Sequence, residues 1–288
     1  MDIDNDGKLD ILSGSYSRTG SSSMAGLFQV LRGGGGGSFA KAKALRGTDG
    51  EPLIIPIQSR KQQTQNICTR PTAADWDGDG DLDLVVGNFA GTFYLFTGKG
   101  DGKFGPKPAP ITVGGAALKI EGAHSDPFLV DWDGDGDLDL LSGSSKGGVQ
   151  WSENKGEAGK PPVLSSFVPL LDPAMQVSYG KLLDESDLVG PAGSTRVWAD
   201  DVNGDGKLDL LVGDSLSLIA PADGLSDKEF AERRAEWQKV ADALSKKVSA
   251  GDRKERSAAQ RELNLHNEKR FEFMKKDRTG FVWLYAQK

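Results

Sequence analysis

An Asp-rich loop occurs four times along the chain, and this repeat limits the fold more than any other feature of the sequence. The four copies, here called loops 1 to 4, align without gaps over thirteen residues. They read DIDNDGKLDILSG from Asp2, DWDGDGDLDLVVG from Asp75, DWDGDGDLDLLSG from Asp131 and DVNGDGKLDLLVG from Asp201. The starts lie 73, 56 and 70 residues apart, so each loop belongs to a repeat unit of that size.

The segments around each loop have the composition of short strands. Apolar runs follow the loops, at 84–86, 140–141 and 210–212, and strand candidates precede them, at 71–74, 127–130 and 195–199. A further aromatic or apolar strand is predicted at 26–31, 91–96 and 148–151, and a fourth strand at 111–113. Four antiparallel strands per unit are typical of a propeller blade.

We therefore expect an all-β fold, a β-propeller with about four blades present. The predicted blades are residues 1–70, which lack the first strand, and residues 71–125, 126–194 and 195–288. Because Met1 falls in the middle of the first repeat, we expect an N-terminally truncated chain, and the incomplete first blade favours part of a larger ring.

Residues 226–277 break the β pattern with a charged, helical sequence. Ser226 with Glu229, and Asp252 with Glu255, have the spacing of capping boxes, and Gly251 separates the two segments. Phe230, Trp237, Ala241, Leu244 and Val248 fall on one helix face. We predict a helical hairpin inserted between the second and third strands of the last blade, before an aromatic strand at 280–285. Its charged surface is mostly solvated, with docking to a partner as the alternative.

Each loop has the side chains that a calcium ion needs. Oxygen-bearing residues stand at positions 1, 3, 5 and 9, position 6 is Gly, and position 7 offers a backbone carbonyl. Ca²⁺ takes six to eight oxygen ligands, and Gly permits the sharp bend. We therefore predict about four Ca²⁺ ions, held by Asp2, Asp4, Asp6, Lys8, Asp10; Asp75, Asp77, Asp79, Asp81, Asp83; Asp131, Asp133, Asp135, Asp137, Asp139; and Asp201, Asn203, Asp205, Lys207, Asp209.

Other interpretations of these loops are weaker. A solvated acidic turn would not need Asp at position 9 in all four copies, and Mg²⁺ rarely occupies an all-protein cage. An EF-hand or a dockerin needs an acidic residue at position 12, where this chain has Ser13, Val86, Ser142 and Val212.

Composition narrows the possible partners. The net charge is −7 with no dominant basic face, so nucleic-acid binding is disfavoured. The single cysteine, Cys68, excludes an internal disulfide and is expected to be buried. There is no run of 18 apolar residues that would suggest a transmembrane segment, and no signal peptide is visible.

The DxDxDGxxDL(L/V)xG pattern with trailing GxFxL strands resembles the FG-GAP/VCBS repeats of bacterial propellers, which are related to the propellers of integrin α-chains. The resemblance implies a secreted, calcium-binding propeller at the cell surface or in the periplasm, used for adhesion or for recognising a protein or carbohydrate. It implies no enzyme. The alternative is a propeller-fold polysaccharide lyase or another carbohydrate-active enzyme.

The remaining candidate residues have simpler structural interpretations. His124 is expected to be packed rather than a catalytic base, and His266 to be solvated. Trp76 and Trp132 are expected in the core rather than as sugar platforms. The glycines at 33–37 predict a hairpin loop, because no helix follows them to form a phosphate site.

Overall fold

The described strands pair in antiparallel sheets, and four of these sheets each contain one Asp-rich loop. A computed structural model describes residues 1–16, 26–175, 183–250 and 252–288. They fall into two compact units, the first containing residues 1–175, 189–215 and 280–288 and the second residues 183–188 and 216–279, within those described ranges. The fold is mostly β-sheet with two helices, and no closed sheet is found in the described ranges.

The described part of the first unit contains four sheets with an Asp-rich loop, here numbered 1 to 4, and two short hairpins. Sheet 1 contains β1 (Ile11–Ser13), β2 (Gln29–Leu31) and β5 (Lys43–Ala44), with β3 (Gly33–Gly35) and β4 (Ser38–Phe39) as a separate hairpin. Sheet 2 contains β6 (Arg70–Ala74), β7 (Asp83–Gly87), β8 (Phe93–Phe96) and β9 (Ala109–Pro110), followed by the hairpin β10 (Thr112–Val113) and β11 (Ala116–Ala117). Sheet 3 contains β12 (Asp126–Val130), β13 (Asp139–Gly143), β14 (Val149–Ser152) and β15 (Val168–Leu171).

Sheet 4 contains β16 (Arg196–Asp200) and β17 (Asp209–Gly213) and is completed by a strand from the end of the chain. In sequence, most of the second unit falls between β17 and that last strand. It contains β18 (Leu216–Pro221), α1 (Asp227–Ala250), α2 (Arg253–Lys269) and β19 (Met274–Thr279), where β18 pairs with β19. The last strand, β20 (Val282–Tyr285), then pairs with β17. Short 3-10 helices occupy Arg60–Gln65, Glu185–Asp187 and Arg270–Glu272.

Loops 2, 3 and 4 each connect the first and second strands of their sheet in one shared register. The residue before the loop pairs with position 9, as in Ala74 with Asp83, and the pairing ends at a glycine, as in Arg70 with Gly87. Sheets 3 and 4 repeat this register. Equal registers place equivalent residues on equivalent faces of the sheets, because side chains alternate along a strand.

The core of the first unit lies between consecutive sheets. Leu84, Val86 and Phe96 of sheet 2 pack with Val30 of sheet 1. Val85 and Phe93, from the opposite face of sheet 2, pack with Leu140 of sheet 3. Leu141 of sheet 3 packs in turn with Val197 and Leu210 of sheet 4. Sheets 2 and 3 therefore bury both faces, one against the preceding sheet and one against the next sheet in sequence.

The predicted strand at 111–113 is confirmed at Thr112–Val113, but it is not the fourth strand of sheet 2. The strand that pairs with β8 is Ala109–Pro110, two residues earlier, while Thr112–Val113 folds back onto Ala116–Ala117. The cause is the Gly114–Gly115 dipeptide, whose φ angles are 58° and 82°. Two residues with positive φ form the tight turn that a hairpin favours, so the strand breaks there.

The helical segment is shorter than the predicted 226–277. Helix α2 ends at Lys269, and the charged residues 274–279 form β19 rather than helix. Their charges lie on exposed positions, whereas Met274, at the start of the strand, is buried. An exposed charged strand resembles a charged helix in composition, which explains the error. Gly251, where the turn was predicted, lies outside the described residues.

The second unit has its own core. The predicted face is confirmed for Phe230, Trp237, Ala241 and Leu244, which are buried, and both capping boxes form. The expectation for His266 is wrong, because its ring stacks on Trp237 with centroids 5.6 Å apart and its Nε2 lies 2.8 Å from the Trp237 carbonyl oxygen. No described helix is both long and apolar enough to cross a membrane.

Candidate metal centres

The first aspartate of each loop holds the turn closed by accepting backbone N–H groups. In loop 2, Asp75 accepts from Gly78 at 2.9 Å and from Gly80 at 3.0 Å. Equivalent bonds run to Asp2 from Asp6 and Gly7, to Asp131 from Gly134, Asp135 and Gly136, and to Asp201 from Gly204, Asp205 and Gly206. The four loops therefore share one backbone conformation.

The predicted left-handed bend at position 6 is confirmed. Gly80 has φ of 92° and Gly136 has φ of 95°, and the other two loops agree. Position 4 also has a positive φ, at Asn5, Gly78, Gly134 and Gly204, which was not predicted. The signal was present in the sequence, because Gly and Asn are the residues that adopt this conformation most readily.

Three loops bring carboxylates close together. In each group one ligand atom per residue lies within 4.8 Å of the others, and the groups are Asp2, Asp4 and Asp10; Asp75, Asp77 and Asp79; and Asp131, Asp133 and Asp135. Loop 4 has the same hydrogen bonds but carries Asn203 at position 3, so it has three carboxylates at positions 1, 3, 5 and 9 where each other loop has four. Like charges at such distances repel, and a cation between them removes that cost.

The aspartate at position 9 also ties each loop to its sheet. Asp83 accepts from the Gly98 amide at 2.7 Å, Asp139 from Asn154 at 2.6 Å and Asp209 from Gln287 at 3.0 Å. In every case, including Asp10 with Gly33 at 2.8 Å, the donor stands two residues after a strand that pairs with the strand following the loop, and these strands are β8, β14, β20 and, in sheet 1, β2. Sequence reasoning assigned position 9 to the metal alone and missed this structural role.

Several carboxylate oxygens in the loops are buried without a hydrogen-bond partner. They are Asp4 Oδ1, Asp83 Oδ2, Asp137 Oδ1 and Asp209 Oδ2, one in each loop. An unpaired buried acceptor costs about 1–3 kcal/mol, and a charged one more. Hard oxygen donors without partners are the ligands that Ca²⁺ prefers, so the residues present fit this ion.

The local electrostatics also favour a bound cation. Burial raises the pKa of Asp83 to about 6. The negative charges of Asp77 and Asp79 also raise this pKa, whereas the hydrogen bonds that Asp83 accepts lower it. The pKa of Asp137 is raised by burial and by the surrounding aspartates of loop 3. Because Asp137 stands at position 7, its side chain adds negative charge where only a backbone carbonyl was expected. The backbone ligands at position 7 stay a prediction.

Loop 1 differs because basic side chains already occupy it. Arg32 Nη1 lies 2.6 Å from Asp10 Oδ2 and 3.2 Å from Asp4 Oδ2, and Lys8 pairs with Asp6 at 3.2 Å. Burial alone would raise the pKa of Asp10, but its hydrogen bonds from Gly33 and Arg32 hold it below the usual value. Within the described part of the chain, the aspartates of loops 2 to 4 form no ion pair with Lys or Arg.

The other candidate residues serve packing. Trp76 is buried and its indole N–H donates to the Leu138 carbonyl at 2.9 Å, as expected for a core residue. Trp132 is partly buried against the core between sheets 3 and 4. Cys68 is a buried free thiol. The ring of His124 lies 4.4 Å from that of Phe89, and burial lowers its pKa.

Comparison with known proteins identifies a repeat family in part of the chain. A search of curated proteins finds no match. The FG-GAP-like repeat family matches residues 75–142, a span that runs from the start of loop 2 into β13. Repeats of this family are non-enzymatic recognition repeats, associated with ligand recognition or adhesion. The predicted resemblance is thus confirmed over these residues, and this chain carries an FG-GAP-like repeat at 75–142.

Proposed function

We propose that this chain is a calcium-stabilised recognition module that binds a protein or carbohydrate ligand. The observation that carries the proposal is the set of carboxylate groups within 4.8 Å in three loops, each loop holding a buried oxygen without a partner. Calcium joins such oxygens and connects the loop to its strands, so metal binding adds to the free energy of folding.

The sheets are proposed to follow a propeller arrangement. Support comes from Asp126, whose carboxylate Oδ1 lies 3.4 Å from Arg70 Nε and 3.2 Å from Arg196 Nη1. These three residues begin the first strands of sheets 2, 3 and 4. First strands that meet through their side chains are expected where consecutive blades surround a common axis.

The location is proposed to be extracellular, at the cell surface or in the periplasm. Extracellular calcium modules bind with a dissociation constant of roughly 10⁻⁴–10⁻³ M, which suits exposed loops of this kind. Ligand contacts are proposed for the loops between strands, as in other rigid scaffolds, and the two-helix segment is proposed as a docking element.

Isothermal titration with Ca²⁺, paired with thermal unfolding in Ca²⁺, Mg²⁺ and EDTA, tests the proposal. We expect Ca²⁺ to raise the melting temperature well above the value in EDTA, and Mg²⁺ to raise it less. Asp79→Ala should remove one binding site, because it deletes one carboxylate of the loop 2 group.

The matched control is Glu157→Ala, which removes an exposed carboxylate outside the loops and should keep every site. Equal melting temperatures in Ca²⁺ and EDTA would show that the loops are acidic turns without a metal. A screen of glycan arrays and of cell-surface proteins in Ca²⁺ then tests recognition, with EDTA expected to abolish any binding found.

A further inference from the structure

The packing between consecutive sheets follows one rule. We call forward the face of a sheet that meets the next sheet in sequence, and rear the face that meets the preceding one. In sheet 2 the forward face contains Val85, Phe93 and Leu95, which share a face because Val85 pairs with Leu95 and Phe93 with Gly87. This face packs with Leu140, on the rear face of sheet 3.

The forward face of sheet 4 contains the equivalent residues but is open. Leu211 pairs with Leu284, as Val85 pairs with Leu95 in sheet 2. Gly213 pairs with Val282, as Gly87 pairs with Phe93. Val282 is 73% exposed and Leu284 is 54% exposed, whereas Val85 and Phe93 are at most 1% exposed. Sheet 4 therefore presents an apolar surface of the kind that sheet 2 buries.

The rear face of sheet 1 is open in the same way. It contains Ile11 and Ser13 on β1, with Leu31 and Gln29 opposite them on β2. Ile11 is 43% exposed and Ser13 is also exposed, although Ser142, which stands at the position of Ser13 in sheet 3, is fully buried.

The rear faces of sheets 1 and 3 match in chemistry as well as in position. Sheet 3 places Leu140 beside the cross-strand pair of Ser142 and Gln150. Sheet 1 places Ile11 beside the cross-strand pair of Ser13 and Gln29, in the same register. In sheet 3, the forward face of sheet 2, with Val85, Phe93 and Leu95, covers this arrangement of an aliphatic residue beside a Ser–Gln pair. The same arrangement on sheet 1 is therefore able to pack against an apolar face.

We propose that the forward face of sheet 4 in one copy of this chain packs on the rear face of sheet 1 in a second copy. The contact of sheet 2 with sheet 3 is its template, with Leu211, Val282 and Leu284 in the places of Val85, Phe93 and Leu95. Such a head-to-tail contact closes into a ring or extends into a chain of copies. Its smallest closed form is a dimer that contains two identical contacts.

Two charge substitutions test this pairing in the calcium-loaded full chain. Leu284→Glu places a charge on the forward face, and Ile11→Glu places one on the rear face. Both side chains are substantially exposed, so each variant should keep the circular dichroism spectrum of the wild type. Ser13→Arg is a second rear-face variant that does not alter the residue next to the Asp10 carboxylate. Val163→Glu, at a valine that is 59% exposed and on neither face, is the control.

Sedimentation velocity over a range of concentrations gives the readout. We expect the wild type and Val163→Glu to associate. Each face variant alone should need a concentration at least tenfold higher than the wild type to associate. An equimolar mixture of Leu284→Glu and Ile11→Glu should form a one-to-one dimer, because one intact forward face meets one intact rear face.

Three results would overturn the proposal. The wild type could stay monomeric at all concentrations, which would leave both faces to a different occupant. Rear-face variants could associate normally while Leu284→Glu does not, which would indicate a forward-to-forward contact. The mixture could also stay monomeric, which would show that the two faces do not pair with each other.

Discussion

The hydroxyl of Thr195 connects two consecutive sheets: its Oγ1 accepts the Ser144 amide at 2.8 Å and donates to the Gly148 carbonyl at 2.7 Å. Thr195 immediately precedes sheet 4, and Ser144 follows the second strand of sheet 3. The same connection recurs at the other two junctions. The Asn88 amide donates to Ser125 Oγ at 2.8 Å, and the Ser15 amide donates to Thr69 Oγ1 at 2.9 Å. A buried hydroxyl therefore stands at each of the three junctions between described sheets.

Thr195→Val should destabilise the first unit because the isosteric side chain leaves the buried Ser144 amide without its acceptor. A buried polar group that loses its partner costs about 1–3 kcal/mol in the free energy of unfolding. Thr195→Ser keeps the hydroxyl and should lose less unfolding free energy, because the serine Ser125 already makes this bond at the equivalent junction. Urea unfolding in calcium measures both, and equal losses for the two variants would contradict the role of the hydroxyl.

A matched pair of glycines distinguishes a covered sheet end from an open one. A Cβ at Gly143 would lie 2.1 Å from the Thr195 carbonyl oxygen, whereas a Cβ at Gly213, the equivalent residue of sheet 4, would meet only Arg196 Cβ at 3.7 Å. Gly143→Ala should therefore cost about 1–3 kcal/mol or more in unfolding free energy, while Gly213→Ala should change it by less than about 0.5 kcal/mol. Urea unfolding below the concentration of association measures both, and similar costs would contradict the packing described.

The loops could be predicted from sequence because their chemistry is local. Oxygen donors at fixed spacing and a glycine at the bend specify the turn within nine residues, and the apolar runs beside it specify the strands. The position-9 bond from Gln287 to Asp209 could not be predicted, since 78 residues separate the two. Arg32 in loop 1 was missed for the same reason, because 22 residues separate it from Asp10. The strand at 274–279 was missed because its pairing partner, β18, lies beyond both helices.

Loop 1 should bind calcium more weakly than loops 2 and 3, because Arg32 already neutralises Asp4 and Asp10. Arg32→Gln removes that positive charge and should tighten one of the calcium sites roughly tenfold. Isothermal titration at low salt measures the change. Arg46→Gln, an exposed arginine that donates to the Gly50 carbonyl, is the control and should leave all sites as they are. An Arg32→Gln titration identical to that of the wild type would mean that the guanidinium does not compete with the ion.

The calcium-free protein should lose stability as the pH rises through the range in which Asp83 ionises. Its folded pKa of about 6 lies above the ordinary value of 3.8, so the folded state binds the proton more tightly than the unfolded state. The corresponding stability is fully present below about pH 4 and is lost as the pH rises to about 6. Between pH 5 and pH 7 the loss from this group is roughly 1 kcal/mol in unfolding free energy.

Urea unfolding in EDTA at pH 5 and pH 7 measures that loss, and Asp83→Asn should reduce it, because the amide does not titrate and its oxygen still accepts the Gly98 amide. Asp101→Asn, outside the loops, should leave the pH dependence of the wild type unchanged. Saturating calcium should reverse the sign of this pH dependence, because protons compete with the ion for the same carboxylates. The calcium-bound protein should then be more stable at pH 7 than at pH 5. An EDTA profile that rises from pH 5 to pH 7 would show that Asp83 is already ionised in the folded, metal-free protein.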